Sequence, residues 1–318
     1  MLKLIWNEWI KLFKKTGTYV MIGLLIVGVI AMGGILKYED SNSSSSVNDN
    51  WQEELETMVS SDQEALDNIG SNNANLRMFY ERQIALNEYH LQNDLAPPSE
   101  KHIWTFVYDA VALTSLAGLF TIIVAAGIVA SEFSSGTIKF LLIRPISRTK
   151  LLLSKYLTVI LFSLGLLAIV FLLSSLVGSI LFGFPAEQSF HLAYRDGEVI
   201  ERNIILHLIM QYLLYSIDIF MISTMAFMIS SVFRNSSLAI GFSLFLLFMG
   251  STVTLLLASR FEWAKYILFS NTDLNVYFDG VPPVDSMTLG FSIVILLVYF
   301  LIFHVLAFTV FAKRDVSA

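Results

Sequence analysis

Charged groups are scarce in this chain, and several occupy positions where charge is costly. Only 14% of its 318 residues are Asp, Glu, Lys or Arg, against 55% apolar. Asp218 alone interrupts an uncharged run from Asn203 to Phe233. In the middle of a membrane helix a carboxylate costs about 2.5–3.5 kcal/mol on insertion scales, and such an acid is a candidate for a substrate path or a proton relay. A hydrogen-bonded carboxyl stapling helices together is the other reading, because polar groups also glue helices in lipid. Gln211 and Tyr215 share its helical seam, and either could hydrogen-bond the acid. A second concentration is EFSSGTIKFLLIRPISRTKLLLSK, from Glu132 to Lys155, which puts five basic residues between two uncharged runs. Gly136 and Pro145 interrupt helices there. Thr137 can cap a restarted helix. A short amphipathic helix lying along the membrane surface, tied stiffly to the spans on both sides, would pass a push to both.

Other chemistries find no footing. There is no cysteine, which excludes disulfides and thiolate metal sites. His90, His102, His191, His207 and His304 have no metal-ligand spacing, and His207 and His304 are expected to be packed or interfacial side chains. No G-x-x-x-x-G-K-[ST] loop is present to cradle nucleotide phosphates. No catalytic residue, cofactor or metal site is therefore expected, and the chain is not expected to be an enzyme. An intramembrane enzyme built on Asp218 would need a second acid within a span, and Asp109 lies near a span's edge.

The elements that position these groups follow from hydropathy. The mean is +0.67, and a soluble domain carries about a quarter charged residues. A bilayer core of about 30 Å takes roughly 20 helical residues, so the uncharged runs are long enough to cross. The predicted fold is an all-α membrane protein with six transmembrane helices over 16–36, 104–131, 153–183, 203–233, 235–259 and 286–312. The first run exceeds the usual length of a signal-peptide core, so it is expected to be retained as a span. Lys3, Lys11, Lys14, Lys15, Lys139, Arg144, Arg148, Lys150, Lys155, Arg234, Lys313 and Arg314 would share one side, 12 of the 20 basic residues, with only Glu8, Glu132 and Asp315 as acids. By the positive-inside rule both termini, including the tail 313–318, are expected in the cytoplasm. Residues 132–152 then form a cytoplasmic loop, whereas 37–103, 184–202 and 260–285 lie outside, the last as an interfacial or re-entrant loop.

Residues 1–15, MLKLIWNEWIKLFKK, have helical periodicity, with Trp6 and Trp9 opposite Lys3, Glu8, Lys11, Lys14 and Lys15. Such a helix suits the headgroup layer, and its polar face could also meet a cytoplasmic partner. The segment 37–103 holds thirteen acids and four basic residues, with two apolar stripes at helical spacing on either side of GSNN. It is expected to form an extracellular helical hairpin.

The order Glu132, Gly136, Thr137, Leu141, Leu142, Pro145, Ser147, Arg148 and Lys155 resembles the permeases of type-two ATP-binding-cassette (ABC) exporters, and NEWIKLFKK from Asn7 is similar to their N-terminal interface helix. The resemblance implies a coupling helix, with Glu132, Gly136, Thr137, Lys139, Arg144 and Arg148 meeting a separate ATPase and Trp6, Glu8, Trp9 and Lys11 forming the N-terminal interface. It further implies a gate in the loop 260–285. Asp218, Tyr215 and Gln211 would line the pathway. ATP and Mg would be bound by partner ABC ATPase subunits, and a second permease would complete a homodimer or heterodimer in membrane lipid. No nucleic acid is expected as a partner. The cargo would be an amphipathic or hydrophobic substrate, such as an antimicrobial peptide, drug or lipid, moved out across a bacterial plasma membrane. The alternative is a non-transport immunity or sensor protein whose extracellular helices bind a ligand.

Overall fold

A backbone in lipid must satisfy its own polar groups, so long apolar runs become helices. In a computed structural model of the chain this gives 81% helix. The structure describes residues 1–42, 50–69, 74–97, 101–138, 146–185, 190–195, 197–233 and 235–313. A short amphipathic helix, α1 (Leu2–Phe13), precedes the first span, α2 (Thr16–Asn42). Two polar helices follow, α3 (Trp51–Asn68) and α4 (Ala74–Gln92), packed against each other. The second span is α5 (Ile103–Asp109), a 3-10 turn and α6 (Thr114–Gly127), continued by α7 (Ala130–Ser134). The remaining spans are α8 (Arg148–Leu181), α9 (Ile204–Val232), α10 (Ser236–Ala258) and, after a loop holding the four-residue α11 (Leu268–Asn271), α12 (Leu289–Lys313). Among the described residues, six helices are long and apolar enough to cross a membrane.

The expectation of an all-α chain is corrected by an antiparallel hairpin, β1 (Phe190–Arg195) and β2 (Glu198–Asn203), between α8 and α9. Arg195 pairs with Glu198 at the end of the hairpin, next to Gly197. Asp-Gly favours a hairpin turn because its backbone requires positive φ, and Gly197 has φ +90°. Asn203 ends the hairpin and caps α9, its Oδ1 accepting from the N–H groups of Ile205 and Leu206.

The second span and α9 form the centre of the bundle, whereas α2, α10 and α12 lie at its edge with rows of exposed apolar side chains. Between the inner helices, hydroxyl-bearing residues allow close approach. Ser154, Thr158, Ser223, Thr224 and Ser231 are buried, and each donates to a carbonyl three or four residues earlier. One hydroxyl repairs a break in the second span: Ser230 Oγ of α9 accepts from the N–H groups of Val129 (3.2 Å) and Ala130 (3.0 Å), where α6 gives way to α7. Without it those donors would be buried and unpaired, at a cost of about 1–3 kcal/mol.

Two faces result. The terminal face carries α1, the chain following α7 and the start of α10, which together line one cleft, and the end of α12, where Arg148 Nη1 reaches Ala312 O at 3.1 Å. The opposite, hairpin face carries α3, α4, the β-hairpin and the loop before α12. Arg82 of α4 donates to Gly280 O at 2.6 Å, and Tyr89 to Glu201 Oε1 at 3.2 Å. The loop folds back into the bundle: Asn271 is fully buried, and its Oδ1 accepts from Ser292 Oγ of α12 at 2.7 Å. Gly250 of α10 permits this close approach, since a Cβ there would collide with the Phe269 ring.

Candidate functional site

On the terminal face four charges from three elements converge. Lys155, two turns into α8, donates to Glu8 Oε2 of α1 and to Glu132 Oε1 of α7, each at 2.7 Å. Lys11 donates to Glu8 Oε1 at 2.8 Å and to Glu132 Oε1 at 3.4 Å. The Lys155 side chain is 0% exposed and Glu8 5%. Two acids and two bases make the group neutral, which offsets the desolvation of burying them. Burial pushes the Glu8 carboxyl up in pKa, but the ammonium groups of Lys155 and Lys11 outweigh it and hold the carboxyl below its ordinary value. The Lys11 ammonium, lowered by its burial, is raised on balance by Glu8 and Glu132.

The cluster binds α1 to the feet of the second and third spans. Thr18 closes the corner from the other side, its buried hydroxyl donating to Leu12 O at 2.6 Å. Glu8 thus turns into the protein rather than along a free polar face. Trp6 and Trp9 part company too: Trp6 is 65% exposed, whereas Trp9 lies against Phe13, ring centroids 4.9 Å apart. Next to the cluster a cleft of about 740 Å³ is lined by Glu8, Lys11, Lys15, Glu132, Thr137 and Ser236, among others. Glu132 Oε2 is buried and has no hydrogen-bond partner among the described residues.

Gly136 follows α7 with φ +71°, the left-handed conformation that commonly ends a helix. The Thr137 hydroxyl donates to Glu132 O at 3.4 Å and pairs with Ser135 Oγ at 2.9 Å; the helix that it is expected to cap runs outside the described residues. Ser147 caps α8 through Lys150 N–H. Lys139 and Arg144 lie outside the described residues.

Asp218 lies midway along α9 and lines a cavity of about 380 Å³ between α6, α9 and α10. Tyr215 lines the same cavity. The Asp218 carboxylate takes a hydrogen bond from Thr272 of the folded-back loop, while Gln211 donates to Asp279 Oδ2 at 3.4 Å. The expected pairing of Gln211 with Asp218 is therefore replaced by one with the loop, because the loop descends to the level of Gln211. Asp109 stands apart, 3.6 Å from Lys101.

A grouping that the sequence reading missed lies on the hairpin face. His191 of β1 stacks on His207 of α9, ring centroids 3.6 Å apart and planes 16° from parallel. Asp279 faces both, Oδ1 3.6 Å from His191 Nε2 and Oδ2 3.7 Å from His207 Nε2. The available signal was the Asp-Gly turn, which brings β1 beside the start of α9; nothing in the sequence places Asp279 there.

Residues 75–317 match the family model described as "Protein of unknown function (DUF2705)". The chain is 46% identical to an uncharacterized protein of Bacillus subtilis strain 168, YhcI, over all of both chains. It is 35% identical over 208 residues to YdbK, an uncharacterized membrane protein of the same bacterium, covering 64% of this chain and 80% of that one. With its six apolar helices, this chain is a multi-pass membrane protein and belongs to the DUF2705 family.

Proposed function

We propose that this chain is the permease subunit of an ABC exporter, driven by separate ATPase subunits that bind ATP and Mg. The observation that carries the reading is the buried cluster of Lys155, Glu8, Glu132 and Lys11. It ties α1 and the feet of two spans into one block directly beside the segment that resembles a coupling loop. Pushed from below, such a block tilts both spans together, because separating its members would strand a buried charge. The terminal face is assigned to the cytoplasm by its basic residues, Lys3, Lys11, Lys14, Lys15, Arg148, Lys150, Lys155 and Lys313 among them, so both termini lie inside. The cleft beside Glu132 and Thr137 gives a partner room to dock. Two copies of the bundle, or one copy and a related permease, would enclose a path for an amphipathic or hydrophobic cargo, with Asp218 and Tyr215 at its wall.

A second reading has one observation in its favour. Arg82 and Tyr89 of α4 hold the outer helices to the folded-back loop and to β2, so a ligand on α3 and α4 would be felt by the bundle, as a sensor or immunity protein requires.

A photo-cross-linking side chain at Thr137, introduced in native membranes, separates the two. Capture of a nucleotide-binding protein there, but not from Ser41 on the opposite face, is the expected result, and the co-purified complex should hydrolyse ATP. A complex purified with its native partners that lacks ATPase activity, together with empty cross-links at Thr137, would overturn the exporter. A reporter fused after Ala318 and active outside the cell would overturn the orientation.

A further inference from the structure

We propose that His191, His207 and Asp279 form a binding site for a divalent transition-metal ion of the zinc type. The donor atoms come from three separate parts of the chain: a strand, the first turns of a span and the folded-back loop. All lie within 4.8 Å of one another. Their spacing suits an ion better than direct contact. At 3.6 and 3.7 Å, the two imidazole–carboxylate separations are too long for hydrogen bonds. Two ligands of one tetrahedral ion, with bonds of about 2.0–2.2 Å, stand roughly 3.3–3.6 Å apart.

The second observation is His207 itself. Its side chain is 0% exposed, and among the described residues neither ring nitrogen has a hydrogen-bond partner. A buried imidazole is seldom left so, since an unpaired polar group in the interior is costly. Its Nε2 faces Asp279, where a cation would satisfy it. As they stand the two rings are stacked face to face, so an ion shared by both requires the more exposed His191 ring to turn out of the stack.

The donors are held by structure on every side. Asn203 caps the helix that carries His207, the pairing of His191 with Arg202 sets the strand, and Arg82 grips the carbonyl of Gly280, next to Asp279. Gln211 Nε2 donates to Asp279 Oδ2 and orients the carboxylate. Two imidazoles and one carboxylate suit zinc, whereas magnesium and calcium prefer oxygen ligands alone. Three protein ligands leave one position of a tetrahedral ion for water, and His191 and Asp279 are 24% and 26% exposed, which gives an ion a route in. A bound ion would clamp the β-hairpin and the folded-back loop onto the end of α9.

The test uses the full-length, tag-free chain in nanodiscs and does not depend on any ATPase. Titrating ZnCl2 against a chromophoric chelator should give one ion per chain and a rise in Tm of a few degrees, with MgCl2 giving neither. His191→Gln and Asp279→Asn should each weaken zinc binding by at least about tenfold, while leaving the metal-free Tm close to native. X-ray absorption of the zinc-loaded native chain should find two imidazole nitrogens and a remainder of oxygen. No zinc uptake above the magnesium control, undiminished uptake in the double variant, or a coordination shell without two imidazoles would overturn the site.

Discussion

On the terminal face Lys155 meets Glu8 and Glu132 at 2.7 Å each; on the hairpin face His207 comes no closer than 3.7 Å to Asp279, and among the described residues neither of its ring nitrogens has a hydrogen-bond partner. Both groups gather residues far apart in sequence at an end of a span, and both bury a side chain completely. The first is neutral by its own composition and saturated with short bonds except at one oxygen of Glu132. The second brings ring nitrogens to 3.6 and 3.7 Å from the Asp279 carboxylate oxygens, beyond hydrogen-bond distance. A saturated cluster resists removal of any member and needs no ligand. An unsaturated one loses little when a member is replaced by an apolar group, and gains when a cation arrives.

That contrast can be broken from either end. The largest expected effect is Lys155→Met, which leaves two buried carboxylates with only Lys11 between them and should cost about 3–5 kcal/mol in thermal unfolding of the purified protein. Adding Glu8→Gln and Glu132→Gln should recover most of the loss, because the uncompensated charge then disappears. If the triple variant is as unstable as the single one, packing rather than charge holds this face together. Next comes zinc: at a free concentration a hundred times its dissociation constant, it should stabilise the native chain by about 2.7 kcal/mol and leave the His191→Gln/Asp279→Asn variant unmoved.

Acid sharpens the comparison on the terminal face. The Glu8 carboxyl is held below its ordinary value of 4.5. Its contribution is therefore complete above about pH 4.5 and is lost as pH falls through the lower, folded-state value. Unfolding curves between pH 7 and pH 3.5 should show this loss in the native chain and not in Glu8→Gln. Lys11→Met should cost under about 1 kcal/mol, since the Lys11 side chain is 42% exposed and its pairing is screened by water. The smallest effect belongs to His207→Phe. In chelator-treated protein it should change stability by less than about 1 kcal/mol, because an unsatisfied polar ring gives way to an apolar ring of similar shape. It should still abolish the response to zinc. A loss comparable to that of Lys155→Met would mean that His207 is satisfied in a way that the distances around it do not suggest.

Much of this molecule was legible in its residues, in some places more than others. The helical spans were, because a bilayer imposes one requirement, about 20 uncharged residues, and the runs around Val124, Leu166 and Leu296 meet it. The ends of those runs were less so. The first span, α2, runs on to Asn42, well past the charged Lys37, since water as well as lipid tolerates helix. The hairpin at Phe190–Asn203 carried its signal in Asp196-Gly197 and in the alternation of the flanking residues, a period that the surrounding helical runs obscure. Glu132 and Lys155 could be singled out as chemistry, and so could Glu8, but each as a member of its own segment.

Sequence by itself determined the solvent this chain requires, the helices it forms there and the side on which its basic residues collect. These follow from local composition, which acts on each segment separately. Which charges neutralise one another was decided only by tertiary structure: Glu8 finds Lys155 across 147 positions, and Asp279 finds His207 rather than a neighbour in sequence. Pairing energy depends on distance in space and on the exclusion of water, and both exist only once the helices have packed.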